Sequence, residues 1–156
     1  MELLTIATNV LALTLSIGNP DGTYYNTTSQ DEHTTVIERY QEVDGLLQLK
    51  SKSTCMYDDA KRILSKEVSN WNKESRQWIP GIRYTYTYND EGFTVELSRW
   101  NSKENNYQPL AKTVYHEEME DYIVMTQFKW DQNKDTFCQV GDSLLMCPNN
   151  VFYANN

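Results

Sequence analysis

From residue 34 to residue 130 the chain alternates strand-like runs with short polar interruptions. Ile82, Tyr84, Tyr86 and Tyr88 fall on one side of an extended segment, and Arg83, Thr85 and Thr87 fall on the other. That two-residue period belongs to a strand with chemically distinct faces. Tyr122, Val124, Phe128 and Trp130 repeat the pattern later in the chain. The alternation predicts strands over 34–43, 47–57, 62–71, 79–88, 93–100, 108–115 and 122–130. Residues 115–121 contain helix formers but stand where the other copies turn, and they read as a longer turn. Residues 18–34 are polar and turn-rich and read as a connection into the repeats.

A repeat underlies the alternation. Trp71-Asn-Lys-Glu-Ser-Arg-Gln-Trp78 returns as Trp100-Asn-Ser-Lys-Glu-Asn-Asn-Tyr107 and as Trp130-Asp-Gln-Asn-Lys-Asp-Thr-Phe137, with a worn copy at Tyr40-Gln-Glu-Val-Asp-Gly-Leu-Leu47. The copies begin at residues 40, 71, 100 and 130, about thirty residues apart. Six polar residues between two large side chains describe a hairpin whose flanking pair meets across the strands. Such a pair adds roughly 0.5–1 kcal/mol, too little for one hairpin to stand alone, so the copies must pair side by side. A second marker, Tyr-polar, alternates with the first at Tyr25-Asn26, Tyr57-Asp58, Tyr88-Asn89 and Tyr115-His116 and reads as the opposite set of turns, with Gly92 supplying an unusual backbone angle. Pro80 and Pro109 each follow the second aromatic by two residues, a place suited to strand entry or an edge. The expected fold is all-β, an antiparallel β-hairpin repeat meander of about eight to ten strands in a single dominant twisted sheet, with a partly closed barrel as the alternative.

The N-terminal run, residues 1–17, is apolar, and its Val10-Leu-Ala12 end suits a signal-peptidase site. No basic residue precedes it, so a buried first strand is the other reading. The continuous apolar stretch is too short to cross a bilayer, and no membrane insertion is expected. Residues 18–156 then form one domain of four hairpin repeats. Fourteen basic against twenty-two acidic residues leave a net charge of −8, which repels phosphate backbones and anionic membrane surfaces. Nucleic acid is therefore not an expected partner. Eleven tyrosines, four tryptophans and four phenylalanines favour strands and an amphipathic surface suited to a glycan or protein partner.

Three cysteines are present, Cys55, Cys138 and Cys147. Cys138 and Cys147 flank a Gly141-Asp142 turn signal and could face each other in a disulfide; otherwise all three are small apolar groups. Two histidines, His33 and His116, stand in no metal-ligand spacing, and no nucleophile elbow or phosphate loop occurs. An enzyme is therefore not expected, and no cofactor is required, although two of the many carboxylates could in principle act as a hydrolytic pair. Asp58-Asp59, Asp90-Glu91 and Glu117-Glu118 follow the Tyr markers and could form a stripe that holds Ca²⁺; turn chemistry and solubility account for them equally well without a metal. Trp71, Trp78, Trp100, Tyr107 and Trp130 are the candidate ligand-binding residues, because an exposed row of rings stacks sugars or extended peptides. Recurrence in every copy favours a structural role for them, since a scaffold need repeats and a site is usually singular.

Tyr57-Asp-Asp-Ala-Lys-Arg-Ile-Leu64 resembles the YD repeat of secreted bacterial proteins, with Lys61 in place of the usual turn glycine. Together with the Trp-Asn-x5-Trp-x-Pro pattern it is similar to a family of exported proteins from gut Bacteroides, known as a domain of unknown function. The resemblance covers about residues 25–140 and implies export to the periplasm, cell surface or medium and a β-rich repeat fold; it implies no activity. Asp142-Ser143-Leu144 resembles the short acceptor motif for O-linked glycans in such proteins. The functional expectation is a non-catalytic module that binds a glycan or peptide outside the cytoplasm. The alternatives are a self-associating structural repeat or a hydrolase without familiar motifs.

Overall fold

The computed structural model describes residues 21–119 and 122–146. Ten strands occur among them: β1 (Thr23–Ser29), β2 (Thr34–Val43), β3 (Leu46–Tyr57), β4 (Ile63–Asn72), β5 (Gln77–Asn89), β6 (Gly92–Asn101), β7 (Asn106–Met119), β8 (Tyr122–Asp131), β9 (Thr136–Gln139) and β10 (Leu144–Met146). Their hydrogen-bonded order is β1-β2-β3-β4-β5-β6-β7-β8-β10, with β9 also on β8. The order follows the sequence, as expected for hairpins added one after another. It is an open path with β1 and β10 at its ends, so the sheet is not the barrel offered as the alternative. Two compact units, residues 1–82 and 83–156, divide the chain inside β5.

The repeat marker explains itself at the tight turns. Residues 73–76, 102–105 and 132–135 link the strands, and the last residue of each loop, Arg76, Asn105 and Asp135, takes a left-handed φ of 54°, 54° and 50°. The residue after the first aromatic closes each loop with its side chain. Asn72 Oδ1 accepts from the Glu74 and Ser75 amides at 2.9 and 3.1 Å, Asn101 Oδ1 from Lys103 at 3.0 Å, and Asp131 Oδ1 from Asn133 at 3.0 Å. These side chains satisfy amides that a tight turn leaves without strand partners. The first hairpin is built differently. Asp44 and Gly45, with φ of 54° and 74°, make a two-residue turn with both central residues left-handed. Leu47 therefore lies opposite Glu42, and Tyr40 lies opposite Leu49. Tyr40 and Leu47 are not the cross-strand pair that the worn copy suggested; a loop two residues shorter shifts the partner.

Three further expectations are corrected. Residues 23–29, read as part of a connection with a turn at Tyr25-Asn26, form β1 against β2, with Asn26 opposite Glu38. The residues read as a long turn at Tyr115-His116 continue β7 as far as Met119, since β6 and β8 pair with that stretch on both sides. The Gly141-Asp142 hairpin does not form. β9 pairs with residues 128–131 of β8 and β10 with residues 123–125, so the two lie end to end along one neighbour. The break falls at Val140, whose amide donates to the Gln127 carbonyl at 2.8 Å, and at Gly141, with φ 70°.

Side chains in this sheet are half-covered rather than sealed. Among the described residues Cys55, 4% exposed, is the one buried apolar side chain, and Asn26, 6% exposed, is the one buried polar side chain. Stability must come from the backbone ladder and from contacts spread along the faces of the sheet.

Candidate functional site

The aromatic markers meet where the repeat placed them. Trp71 and Trp78 lie with ring centroids 5.1 Å apart, Trp100 and Tyr107 5.0 Å, and Trp130 and Phe137 4.9 Å, with interplanar angles of 63°, 68° and 76°. Edge-to-face contact is the favoured geometry for two rings with negative faces and positive edges. The rings are half-buried and do not lie coplanar as a sugar-stacking ladder would.

The second ring of each pair carries a cation. Lys52 Nζ lies 4.8 Å from the Trp78 ring centroid, Arg83 Cζ 3.8 Å from that of Tyr107, and Lys112 Nζ 4.6 Å from that of Phe137. Lys112 also lies 5.1 Å from the Phe128 ring. Each cation stands two strands away from its ring, on β3, β5 and β7 respectively. Lys52 lies opposite Glu38 on one side and Ser69 on the other. Lys112 lies opposite Glu96 and Phe128. A recurring cation and ring therefore tie each hairpin to the one before it, with a carboxylate opposite the cation at Lys52 and Lys112, and the cation occupies one face of the ring that a ligand would need.

The opposite face differs. In the second unit, Phe93, Val95 and Leu97 of β6 lie opposite Tyr115, Thr113 and Ala111 of β7. Strand alternation sends these side chains away from Glu96, Lys112 and Trp100. A register shift between Leu97 and Ser98 lets β7 accommodate Leu110 and Pro109, so that Trp100 and Tyr107 meet beyond it. Tyr84 and Tyr86 join this face from β5, and the group lines an apolar trough of about 510 Å³. Phe93 and Tyr115 stack at 4.6 Å with 17° between their planes, and Tyr88 flanks Phe93 at 6.0 Å and 37°. At the end of the trough the β5–β6 turn packs close to β7. A Cβ built on Gly92 would stand 2.1 Å from the Tyr115 carbonyl oxygen, so the turn needs glycine there.

The carboxylates expected to form a cation stripe serve separate purposes. Asp58 closes its turn: Oδ1 accepts from the Arg62 amide at 2.8 Å and Oδ2 from Arg62 Nε at 2.7 Å. The Arg62 amide, followed by the guanidinium, holds the Asp58 carboxyl below its ordinary value. The same turn puts Lys61 at a left-handed φ of 62°. Asp59 lies 3.7 Å from His33 Nε2. Asp90, Glu91 and Glu117 come together elsewhere, at the rim of a cavity of about 430 Å³ beside the β5–β6 turn. Glu118 is exposed next to them in sequence. Among the described residues no group of three or more His, Cys, Asp or Glu is placed to hold a metal ion. No helix among them is long and apolar enough to cross a membrane. Cys138 is a half-buried thiol on β9 and Cys55 a buried thiol on β3; Cys147 lies outside the described residues.

A family model described as "Family of unknown function (DUF3836)" matches residues 1–117. The chain belongs to the DUF3836 family. No curated protein matches it. A crystal structure of a protein with unknown function from Bacteroides fragilis NCTC 9343 is similar at a TM-score of 0.70 and 18% identity, over 82% of this chain and 94% of that one. A DUF3836 family protein from Bacteroides vulgatus ATCC 8482 aligns at a TM-score of 0.53 and 23% identity, over 58% of this chain and 92% of that one. At these identities the likeness is one of fold.

The DUF3836 match includes the trough from Tyr84 to Tyr115 and ends before the third aromatic pair, Trp130 and Phe137. The hairpin pairs were legible from their spacing. The cation row was missed, although Lys52, Arg83 and Lys112 recur about thirty residues apart and carry the signal. The trough was visible only as half of a strand pattern at Tyr84 and Tyr86; its other half comes from β6 and β7.

Proposed function

We propose that this DUF3836 protein is a non-catalytic binding module acting outside the cytoplasm, and that its ligand, an extended glycan or peptide, lies in the trough of the second unit. One observation carries the reading: the aromatic positions of the trough have no aromatic counterpart in the first copy of the repeat. Tyr84 and Tyr86 follow Arg83 as Ser53 and Cys55 follow Lys52, and Phe93 precedes Glu96 as Leu64 precedes Glu67. A scaffold requirement recurs in each copy, whereas an aromatic cluster that the first copy does without answers a need that the scaffold does not have. The Trp pairs recur, and the second ring of each has one face covered by a cation, so they are assigned to the scaffold.

A glycan and peptide array probed with the purified protein and with Tyr84→Ala/Tyr86→Ala tests this. The expected result is a ligand bound by the parent chain and lost by the double variant, with both melting within a few degrees of each other. A ligand bound equally by both overturns the assignment of the trough. Export rests on the apolar N-terminal run; N-terminal sequencing of protein from its native cell checks it, and cytoplasmic material still beginning at Met1 contradicts it.

A second reading, a structural unit that associates with its own copies, has β10 in its favour. Leu144 and Leu145 are 54% and 59% exposed on the strand that ends the hydrogen-bonded order. Light scattering after size exclusion distinguishes it: a concentration-independent monomer rejects self-association.

A further inference from the structure

The trough does not end at its aromatic floor. The stacked rings of Phe93 and Tyr115 line both the trough and the neighbouring cavity at the β5–β6 turn, where Asp90, Glu91 and Glu117 stand. The two spaces share these walls and make one groove, apolar along its length and acidic at one end. Among the described residues His116 is the single basic side chain lining the acidic end.

These three carboxylates differ from those that close other turns. Asp31, Asp58 and Asp131 each accept a backbone amide of their own turn. At the β5–β6 turn the amide of Glu91 is taken by Asn89 Oδ1 at 3.2 Å, and Glu91 and Glu117 meet through their backbones at 2.9 Å. None of the described hydrogen bonds or ion pairs uses the carboxylates of Asp90, Glu91 or Glu117. Three like charges beside an apolar wall repel one another, and a cation placed among them relieves that repulsion.

The ring geometry favours a peptide over a sugar. A sugar stacks on a free ring face, but Phe93 and Tyr115 cover one face of each other at 4.6 Å and 17°, and Tyr88 crowds Phe93 at 6.0 Å. The trough also presents Val95, Leu97 and Ala111, which suit apolar side chains of an extended chain. From Phe93 to Leu97 the floor runs about 13 Å, the reach of about four extended residues.

Building on the binding reading above, we propose that the groove takes an extended peptide whose apolar residues fill the trough and whose lysine or arginine lies among Asp90, Glu91 and Glu117. The charge complementarity names the partner: a basic, apolar segment of another protein.

The test uses three fluorescent probes on the full chain at low salt. The first is a seven-residue peptide with two lysines followed by alternating leucine and serine. The second has glutamates in place of the lysines. The third is a neutral β-linked hexasaccharide. The lysine peptide should bind about tenfold or more tightly than the glutamate peptide, and salt should narrow the gap. Asp90→Asn/Glu91→Gln/Glu117→Gln should erase the preference, and Tyr86→Ala should remove binding of both peptides. Equal binding of the two peptides, with Tyr86 required, overturns the cationic end and leaves the trough intact. Tyr86-dependent binding of the hexasaccharide alone overturns the peptide and leaves the binding reading standing. Binding that survives Tyr86→Ala, or no binding by any probe, overturns the proposal.

Discussion

The guanidinium carbon of Arg83 lies 3.8 Å from the centre of the Tyr107 ring, two strands and more than twenty residues away. A cation so close to an aromatic face contributes roughly 0.5–2 kcal/mol, depending on how well water is excluded. Lys52 over Trp78 and Lys112 over Phe137 repeat the relationship, which makes it a property of the repeat.

Lys112→Met keeps the aliphatic stem and removes the charge that faces Phe137, Phe128 and the opposing Glu96. A loss of about 1 kcal/mol is expected, with Lys112→Arg close to the parent chain. Urea denaturation of the three proteins measures it. A Met variant as stable as the parent would show that the cation contributes nothing to the row.

Truncating a paired ring should cost more. Trp78→Ala removes the edge-to-face partner of Trp71 and the surface under Lys52. The expected loss is about 2–4 kcal/mol, at the lower part of the range for buried tryptophan because the ring is half-exposed. Trp100→Ala should lose a similar amount, and thermal melts of both compare the two copies directly. Unchanged melting in both would return the Trp pairs to the list of candidate binding residues.

Two glycines separate steric from conformational need. Gly92→Ala forces a Cβ to 2.1 Å from the Tyr115 carbonyl oxygen and should cost about 2 kcal/mol or more. Gly45→Ala meets no atom within 4 Å, but its φ of 74° is left-handed, so a cost of about 1 kcal/mol is expected. Chemical denaturation of the pair checks the ranking. A Gly45 variant less stable than the Gly92 variant would contradict it.

Stability should fall at both ends of the pH scale. The carboxyls of Asp31, Asp58 and Asp131 are held below their ordinary 3.8, chiefly by backbone amides of their own turns. Their contribution is complete above that value and is lost as pH falls through 3.8 toward the lowered native values. Tyr40 behaves oppositely. Burial, and then its 2.7 Å hydrogen bond to Glu38, push its phenol to about 12 from 10.0. Its contribution is complete below pH 10.0 and is lost as pH rises toward about 12. Denaturation midpoints across pH, compared with Tyr40→Phe, isolate the alkaline limb: the variant should flatten it, and an unchanged slope would remove Tyr40 from the account.

Taken alone, the sequence determined the repeat, the strand positions and the tight aromatic hairpins. Those features are local. A two-residue period specifies a strand, and an Asx after the first Trp closes a loop whose flanking rings must then meet, as Trp71 and Trp78 do. Seven strands stand within a few residues of where alternation placed them. Local pattern failed where pairing, not propensity, decides. Polar residues 23–29 become β1 because β2 offers a ladder, and residues 116–119 remain a strand because β6 and β8 pair with the stretch to which they belong. A loop two residues shorter moved the partner of Leu47 from Tyr40 to Glu42, a choice set by backbone geometry at Asp44 and Gly45. The trough belongs wholly to the tertiary level. Tyr84, Phe93 and Tyr115 lie on three strands and become neighbours only when register is fixed, because a one-residue slip sends every side chain to the opposite face. The same register decides that Asp58 holds a turn while Asp90, Glu91 and Glu117 stand together at the end of a groove.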